Sequence, residues 1–253
     1  MLRITFLVVL TALACQAASE EDSTDDNYLY NSIIVGDYEV AVSMTKDLVK
    51  DNKLEIISTT VQRLINENQR NLVDYAYYLW KEGGEDIVKK YFPLQFRIIL
   101  GQHAVKLLST RDNMVVKLGY RRDSDGDRTA YGDANHMIGD RMAWKFIPVE
   151  DSQLYFKIYH PLTDQYLKLG LATDSDGDHE VFGGDLYDSY RFQFFLIPAM
   201  NGADLVFYIF NREYQQALKL SRAVDSDGDR QVFSEKGNVL NDTYSYGWKI
   251  KPL

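Results

Sequence analysis

One interval recurs along the second half of the chain, and it constrains the fold more than any other feature. Lys117-Leu118, Lys168-Leu169 and Lys219-Leu220 follow one another at steps of 51 residues, as do Gly126, Gly177 and Gly228. Val105, Phe156 and Phe207 keep the same step, and so do Leu107, Ile158 and Ile209. Each copy opens as a hairpin, two alternating apolar runs around a polar turn, as in "LYFKIYHPLTDQYLKLGL". The segment DSDGD follows, then a short run to Tyr131, Phe182 or Phe233, then a strand closing on Pro148, Pro198 or Pro252. Such regularity over three copies signals a repeat architecture. Three units of four strands close a barrel that leaves no sheet edge exposed. The spacing therefore predicts a β-trefoil of three 51-residue repeats over residues 101–253.

Ahead of the repeats the rhythm is helical. Val40, Met44 and Leu48 recur at a spacing of four, and Leu54, Ile57, Val61, Leu64 and Ile65 share one face. Gly36 and Gly83-Gly84 punctuate the pattern and Pro93 stops it. Four or five short amphipathic helices are expected, forming a helical domain over 18–100. Tyr75, Tyr77, Tyr78, Trp80, Tyr91, Phe92 and Phe96 read as the core of a small bundle rather than a ligand groove. The predicted fold class is thus α+β in two domains, an N-terminal helical bundle followed by the trefoil.

Residues 1–17 read as a secretory signal peptide: Arg3, an apolar run from Ile4 to Ala14, then small residues. The only cysteine, Cys15, would leave with it, so the secreted chain has no disulfide and no thiol nucleophile. Cohesion must come from a packed core. With Arg3 removed, the net charge of −9 becomes −10, which argues against nucleic acid or an anionic membrane as the main partner. No later stretch is apolar enough to anchor the chain in a bilayer. Asn241-Asp242-Thr243 is a glycosylation sequon, with Asn241 as the acceptor.

The three DSDGD segments pose a choice between a metal site and a turn. Asp123, Asp125 and Asp127, with Asp174, Asp176 and Asp178 and with Asp225, Asp227 and Asp229, offer the oxygens that calcium requires. A calcium-binding helix–loop–helix places glycine at loop position six and glutamate at position twelve. Here glycine is fourth, and position twelve is Ala134, Asp185 or Lys236. Asp-Gly between strand-like runs is instead a strong turn signal. The turn reading is favoured, with Arg128 or Arg230 pairing with the adjacent carboxylates, and weak calcium affinity stays open. The third and fifth aspartates of each segment, Asp125, Asp127, Asp176, Asp178, Asp227 and Asp229, are the weak metal candidates.

Little else carries chemistry. His103, His136, His160 and His179 lack metal-ligand spacing, and neither a nucleophile elbow nor a phosphate-cradling loop is present. No catalytic residue and no cofactor are expected. A trefoil that binds sugar uses an aromatic ring and an aspartate in each shallow pocket. On that pattern Asp123, Asp174 and Asp225, with Tyr131 and Phe182, are the candidate ligand-binding residues, and Tyr120 lies nearby.

Four segments carry a resemblance: "YNSIIVGDYEVAV", "YLWKEGGEDIVKKYFPLQFRIIL", "LYFKIYHPLTDQYLKL" and "DLVFYIFNREYQQALKL". In these the chain resembles the low-molecular-mass hemolymph lipoproteins of moths over nearly its whole mature length. The resemblance implies a secreted, non-enzymatic plasma protein with a helical domain and a β-trefoil. It implies a nutrient reserve taken up by fat body or eggs through an uptake receptor, with carriage of lipid, sugar or glucan. The alternative it implies is a glucan-binding recognition protein of immunity. The regular DSDGD triplet departs from the family's loops.

Overall fold

The computed structural model describes residues 25–253, so the leader expected at 1–17 lies outside the described residues. Residues 25–34 are helical and are designated α1. Five helices follow: α2 (Tyr38–Lys50), α3 (Leu54–Asn66), α4 (Asn71–Leu79), α5 (Glu85–Tyr91) and α6 (Leu94–Leu100), with a π-helical turn at Trp80–Gly84 between α4 and α5. Local chemistry sets their limits. The Asp37 carboxylate accepts the Val40 N–H at 3.3 Å and caps α2. Gly83, at φ +83°, supplies the left-handed residue at the break after α4. Pro93 begins α6, where a missing N–H leaves no hydrogen bond unmade.

Twelve strands come next. They are β1 (Val105–Ser109), β2 (Val115–Leu118), β3 (Arg128–Asp133), β4 (Lys145–Glu150), β5 (Leu154–His160), β6 (Gln165–Thr173), β7 (His179–Gly184), β8 (Phe194–Asn201), β9 (Asp204–Asn211), β10 (Ala217–Leu220), β11 (Arg230–Glu235) and β12 (Trp248–Pro252). A one-turn helix, α7 (Thr243–Tyr246), precedes β12. All strand pairs are antiparallel and belong to one sheet. β1, β12, β9, β8, β5 and β4 pair in that order, and a bridge between Val105 and Trp144 closes the ring. The other six strands form the hairpins β2–β3, β6–β7 and β10–β11. β3, β7 and β11 also pair with one another, so the hairpins meet as a triangular cap.

The barrel interior is filled. Phe146, Phe156, Phe194 and Phe207 are fully buried there with Leu107, Ile158, Ile209 and Ile250. Trp144 and Trp248 are buried too, and each indole N–H donates to a strand carbonyl, Val116 at 2.9 Å and Leu218 at 3.0 Å. Each such side chain contributes on the order of 2–3 kcal/mol by leaving water.

The expected α+β two-domain chain, a helical bundle followed by a β-trefoil of three repeats, is corrected by this arrangement. The helices have no separate core: their buried residues form one cluster with those of the strands. A ladder of rings shows the continuity, running from Tyr75 of α4 to Phe92 at 5.8 Å, to Phe96 of α6 at 5.6 Å and to Phe207 of β9 at 5.8 Å. Nor is the 51-residue repeat a structural unit, because β1 pairs with β12 and β4 pairs with β5, across copies. The chain is one body, a closed antiparallel barrel with helices packed on it. Helices of 7 to 13 residues cannot bury enough apolar surface against each other alone. The strand edges left by one copy of the repeat are satisfied only by the next.

Candidate functional site

Each DSDGD segment folds as the same turn. The first aspartate accepts two backbone N–H groups with one oxygen: Asp123 from Asp125 and Asp127, both at 2.9 Å, Asp174 from Asp176 and Asp178 at 2.9 and 3.0 Å, and Asp225 from Asp227 and Asp229, both at 2.9 Å. Gly126, Gly177 and Gly228 follow at φ +85°, +83° and +86°, a conformation other residues adopt at a cost. The residue after each segment turns away from it. Arg128 donates to the carbonyls of Gly119, at 3.0 Å, and Tyr120, His179 Nδ1 pairs with the Gly170 carbonyl at 2.9 Å, and Arg230 donates to Ser221, at 3.2 Å, and Arg222. The expected pairing of Arg128 and Arg230 with adjacent loop carboxylates is thus corrected: backbone carbonyls just beyond β2 and β10 take the guanidinium instead.

The fifth aspartate of each turn is held by a lysine from another copy of the repeat. Asp127 pairs with Lys168 at 2.6 Å, Asp178 with Lys219 at 2.6 Å and Asp229 with Lys117 at 2.5 Å. The lysines stand on β2, β6 and β10, cross-strand from Tyr131, Phe182 and Phe233. Lys117 also meets Asp133, and Lys219 meets Glu235, each at 2.5 Å. Burial disfavours the charged form of Lys117 and Lys219, but two carboxylates apiece outweigh it and hold both ammonium groups above the ordinary lysine range. Burial likewise works against the Asp133 carboxylate, yet Lys117 and the Asn135 N–H keep it below the ordinary range.

Three clefts open between these turns, one above each lysine. The first, of 760 Å³, is lined by Lys117, Tyr120, Asp123, Tyr131, Asp225 and Asp229, among others. The second, of 640 Å³, has Asp123, Lys168, Leu171, Asp174, Phe182 and Tyr187 in its wall. The third, of 600 Å³, has Asp174, Asp178, Lys219, Phe233, Glu235 and Tyr246. Each cleft therefore offers an aromatic floor, a paired ammonium group and turn carboxylates, a set suited to holding a small polar or amphipathic molecule.

The candidates from sequence fall in this region. Asp123 and Tyr131 meet in the first cleft, and Asp123, Asp174 and Phe182 meet in the second. Asp225 lines the first cleft and not the third. Asp125, Asp176 and Asp227 are exposed, whereas Asp127, Asp178 and Asp229 face lysines. Among the described residues no group of three acidic, histidine or cysteine side chains is arranged to hold a metal ion. Asn241 is exposed on the turn before α7. The three lysines stood out from sequence only as markers of the repeat, not as site residues, and Arg141, Arg191 and Tyr187 were not singled out. A lysine recurring between buried apolar residues of a strand, as in Val116-Lys117-Leu118, is a signal that would have found the first three.

A second polar cluster joins the helices to the barrel. Asp74 of α4 is only 3% exposed and accepts the Tyr38 hydroxyl at 3.3 Å. Burial pushes its carboxyl up to about 6, against the opposing pull of Arg70. Arg70 in turn donates to the Leu154 carbonyl of β5 at 3.2 Å and lies 4.0 Å over the Phe195 ring. Phe92 and Phe96 are buried as expected of core residues, as is Tyr75, while Tyr77, Tyr78, Trp80 and Tyr91 pack on the cluster from its margin.

The barrel interior is thus filled, and the clefts between the turns lie at its surface. The chain belongs to the lepidopteran low molecular weight (30 kD) lipoproteins, whose family model matches residues 23–252. It is 48% identical over 251 residues to microvitellogenin of Manduca sexta, covering 99% of each chain. It is 39% identical over 249 residues to low molecular mass lipoprotein 3 of Bombyx mori, covering 97% of each. These relatives are named as lipoproteins or microvitellogenin, not as enzymes. In fold alone, 60% of the chain resembles 96% of the SDF2-like protein from Arabidopsis thaliana, at a TM-score of 0.50 and 16% identity. Among the described residues no helix is long and apolar enough to cross a membrane.

Proposed function

We propose that the chain is a secreted hemolymph storage and transport protein, a nutrient reserve taken up by fat body or eggs, that carries its ligand in the clefts of the hairpin cap. The filled barrel is the observation that carries this reading. Large rings occupy the interior, so a carried molecule must sit at the surface, and each of the three clefts offers both apolar floor and fixed charge. The names of the relatives support the association with lipid and the reserve role. The leader expected at 1–17 and the exposed sequon at Asn241 support secretion. Native mass spectrometry of the protein from hemolymph, with uptake of labelled protein by fat body and oocytes, tests the proposal. A bound small molecule lost on denaturation and saturable uptake are expected. A bare polypeptide that neither tissue internalises would refute it.

A second reading, recognition of a glucan, has one observation of its own. Tyr120 is 77% exposed at the mouth of the first cleft, with the Arg141 guanidinium 3.7 Å from its ring on one face. A ring held this way is a platform for a sugar. Retention of the protein on an insoluble glucan, lost in Tyr120→Ala, would favour this reading.

A further inference from the structure

The three clefts are not equivalent, and the difference lies at one position. In the first cleft Lys117 is flanked by Asp229 and Asp133, and in the third Lys219 is flanked by Asp178 and Glu235. Asp133 and Glu235 occupy matching positions of β3 and β11, and the matching residue of β7 is Gly184. Lys168 consequently pairs with Asp127 alone among the described residues. No side chain fits beside it as it stands: a Cβ on Gly184 would lie 2.6 Å from Asp127 Oδ1 and 2.8 Å from Lys168 Nζ.

A second cation shares this gap. Arg191 lines the same cleft and, among the described residues, is paired with no carboxylate; one of its nitrogens donates to the Leu169 carbonyl at 3.0 Å. Lys168 and Arg191 stand 5.7 and 5.6 Å from the ring centre of Tyr187, so both cations border one ring. The corresponding arginine of the first cleft, Arg141, lies close enough to Asp133 for its charge to help hold that carboxylate below the ordinary range. The second cleft thus has the two cations of the first but lacks the carboxylate between them.

Its rim also carries turn carboxylates, Asp123, Asp125 and Asp174, but is apolar at one position where the others are polar or aromatic. At the position of Tyr120 and Arg222 it carries Leu171, which is 75% exposed. Phe182 and Tyr187 add aromatic surface to the same wall, beside the cations. We infer that the second cleft is a single binding site for an amphipathic monocarboxylate, whose carboxylate meets Lys168 and Arg191 from the cleft side and whose apolar body lies along Leu171, Phe182 and Tyr187. Charge-assisted hydrogen bonds to Lys168 and Arg191 fix the head, and burial of the tail supplies the rest. This assignment deepens the carriage reading and rests on it.

Isothermal titration of the full chain with sodium decanoate, below its micellar concentration, tests it. One saturable site per chain is expected, with decanol, which lacks the carboxylate, bound at least tenfold more weakly. Gly184→Asp restores the missing carboxylate at the cost of small shifts in two flexible side chains, and should weaken decanoate binding at least tenfold. Leu171→Glu alters an exposed residue that the fold does not need, and should do the same. Three equal sites, no saturable binding, or unchanged affinity in a folded Leu171→Glu protein would overturn the assignment. If native mass spectrometry then still finds a small molecule on the chain, carriage stands and only this site falls. If the chain is also bare, both fall.

Discussion

Lys117 Nζ lies 2.5 Å from the Asp229 carboxylate, and this pair ties the first copy of the repeat to the third. With Lys168–Asp127 and Lys219–Asp178 it completes a ring in which each copy holds its neighbour. The Coulomb gain of a buried pair is largely offset by desolvation, so its net value is small. Removing one partner is another matter, since the other charge is left buried and unpaired.

Lys117→Met should therefore be costly, by about 3–5 kcal/mol, because Asp133 and Asp229 both lose their cation. Adding Asp133→Asn and Asp229→Asn to the same chain should recover most of that loss. Urea unfolding of the single and triple variants measures both quantities; equal destabilisation in the two would show that the lysine contributes packing alone.

Asp74 predicts a pH dependence of stability with a definite sign. Its carboxyl titrates at about 6 in the folded chain, above the ordinary 3.8. Between these values the folded state binds more protons than the unfolded one, so stability falls as pH rises. The stability present below about pH 4 declines through pH 6 by on the order of 3 kcal/mol. Asp74→Asn should remove this slope and raise the melting temperature at pH 7. A variant with the same slope between pH 4 and 7 as the parent would assign the titration to another group.

The turns should contribute to stability in their own right. Gly177→Ala forces a side chain into a positive-φ conformation and should cost about 1–2 kcal/mol. Asp174→Ala removes the acceptor of two backbone N–H groups and should cost about 1–3 kcal/mol, while Asp174→Asn, which keeps an accepting oxygen, should cost less. Calorimetric melting of the three proteins ranks them.

Because helices and strands share one core, they should unfold together. Far-ultraviolet circular dichroism and tryptophan fluorescence are expected to give coincident denaturation curves. Phe96→Ala, which breaks the ring ladder between α6 and β9, should lower the stability of the whole transition by about 3–5 kcal/mol. A separate early loss of helix would restore the division into two domains.

Much of this was legible along the chain. The spacing of Leu54, Ile57, Val61 and Leu64 announces a helix because periodicity is local, and Asp-Gly at fixed register announces a turn for the same reason. What periodicity does not carry is the partner. An amphipathic face does not say what covers it, so the joining of Phe96 to Phe207 was hidden, and with it the single core. The lysine ring was hidden too, since Lys117 and Asp229 meet only after the hairpins pair across copies. Gly184 shows the other limit: its meaning lies in the side chain that Asp133 and Glu235 have and it does not.

The most direct measurement of where the ligand sits is amide chemical-shift mapping of the full chain, titrated with the small molecule released from hemolymph-purified protein. Carriage in the hairpin cap predicts shifts confined to the stretches that line the clefts, within residues 111–141, 168–191 and 219–246. Shifts concentrated instead in α2, α4 and the turn after it, around Tyr38, Tyr78 and Lys81, would place the ligand on the helices and contradict it.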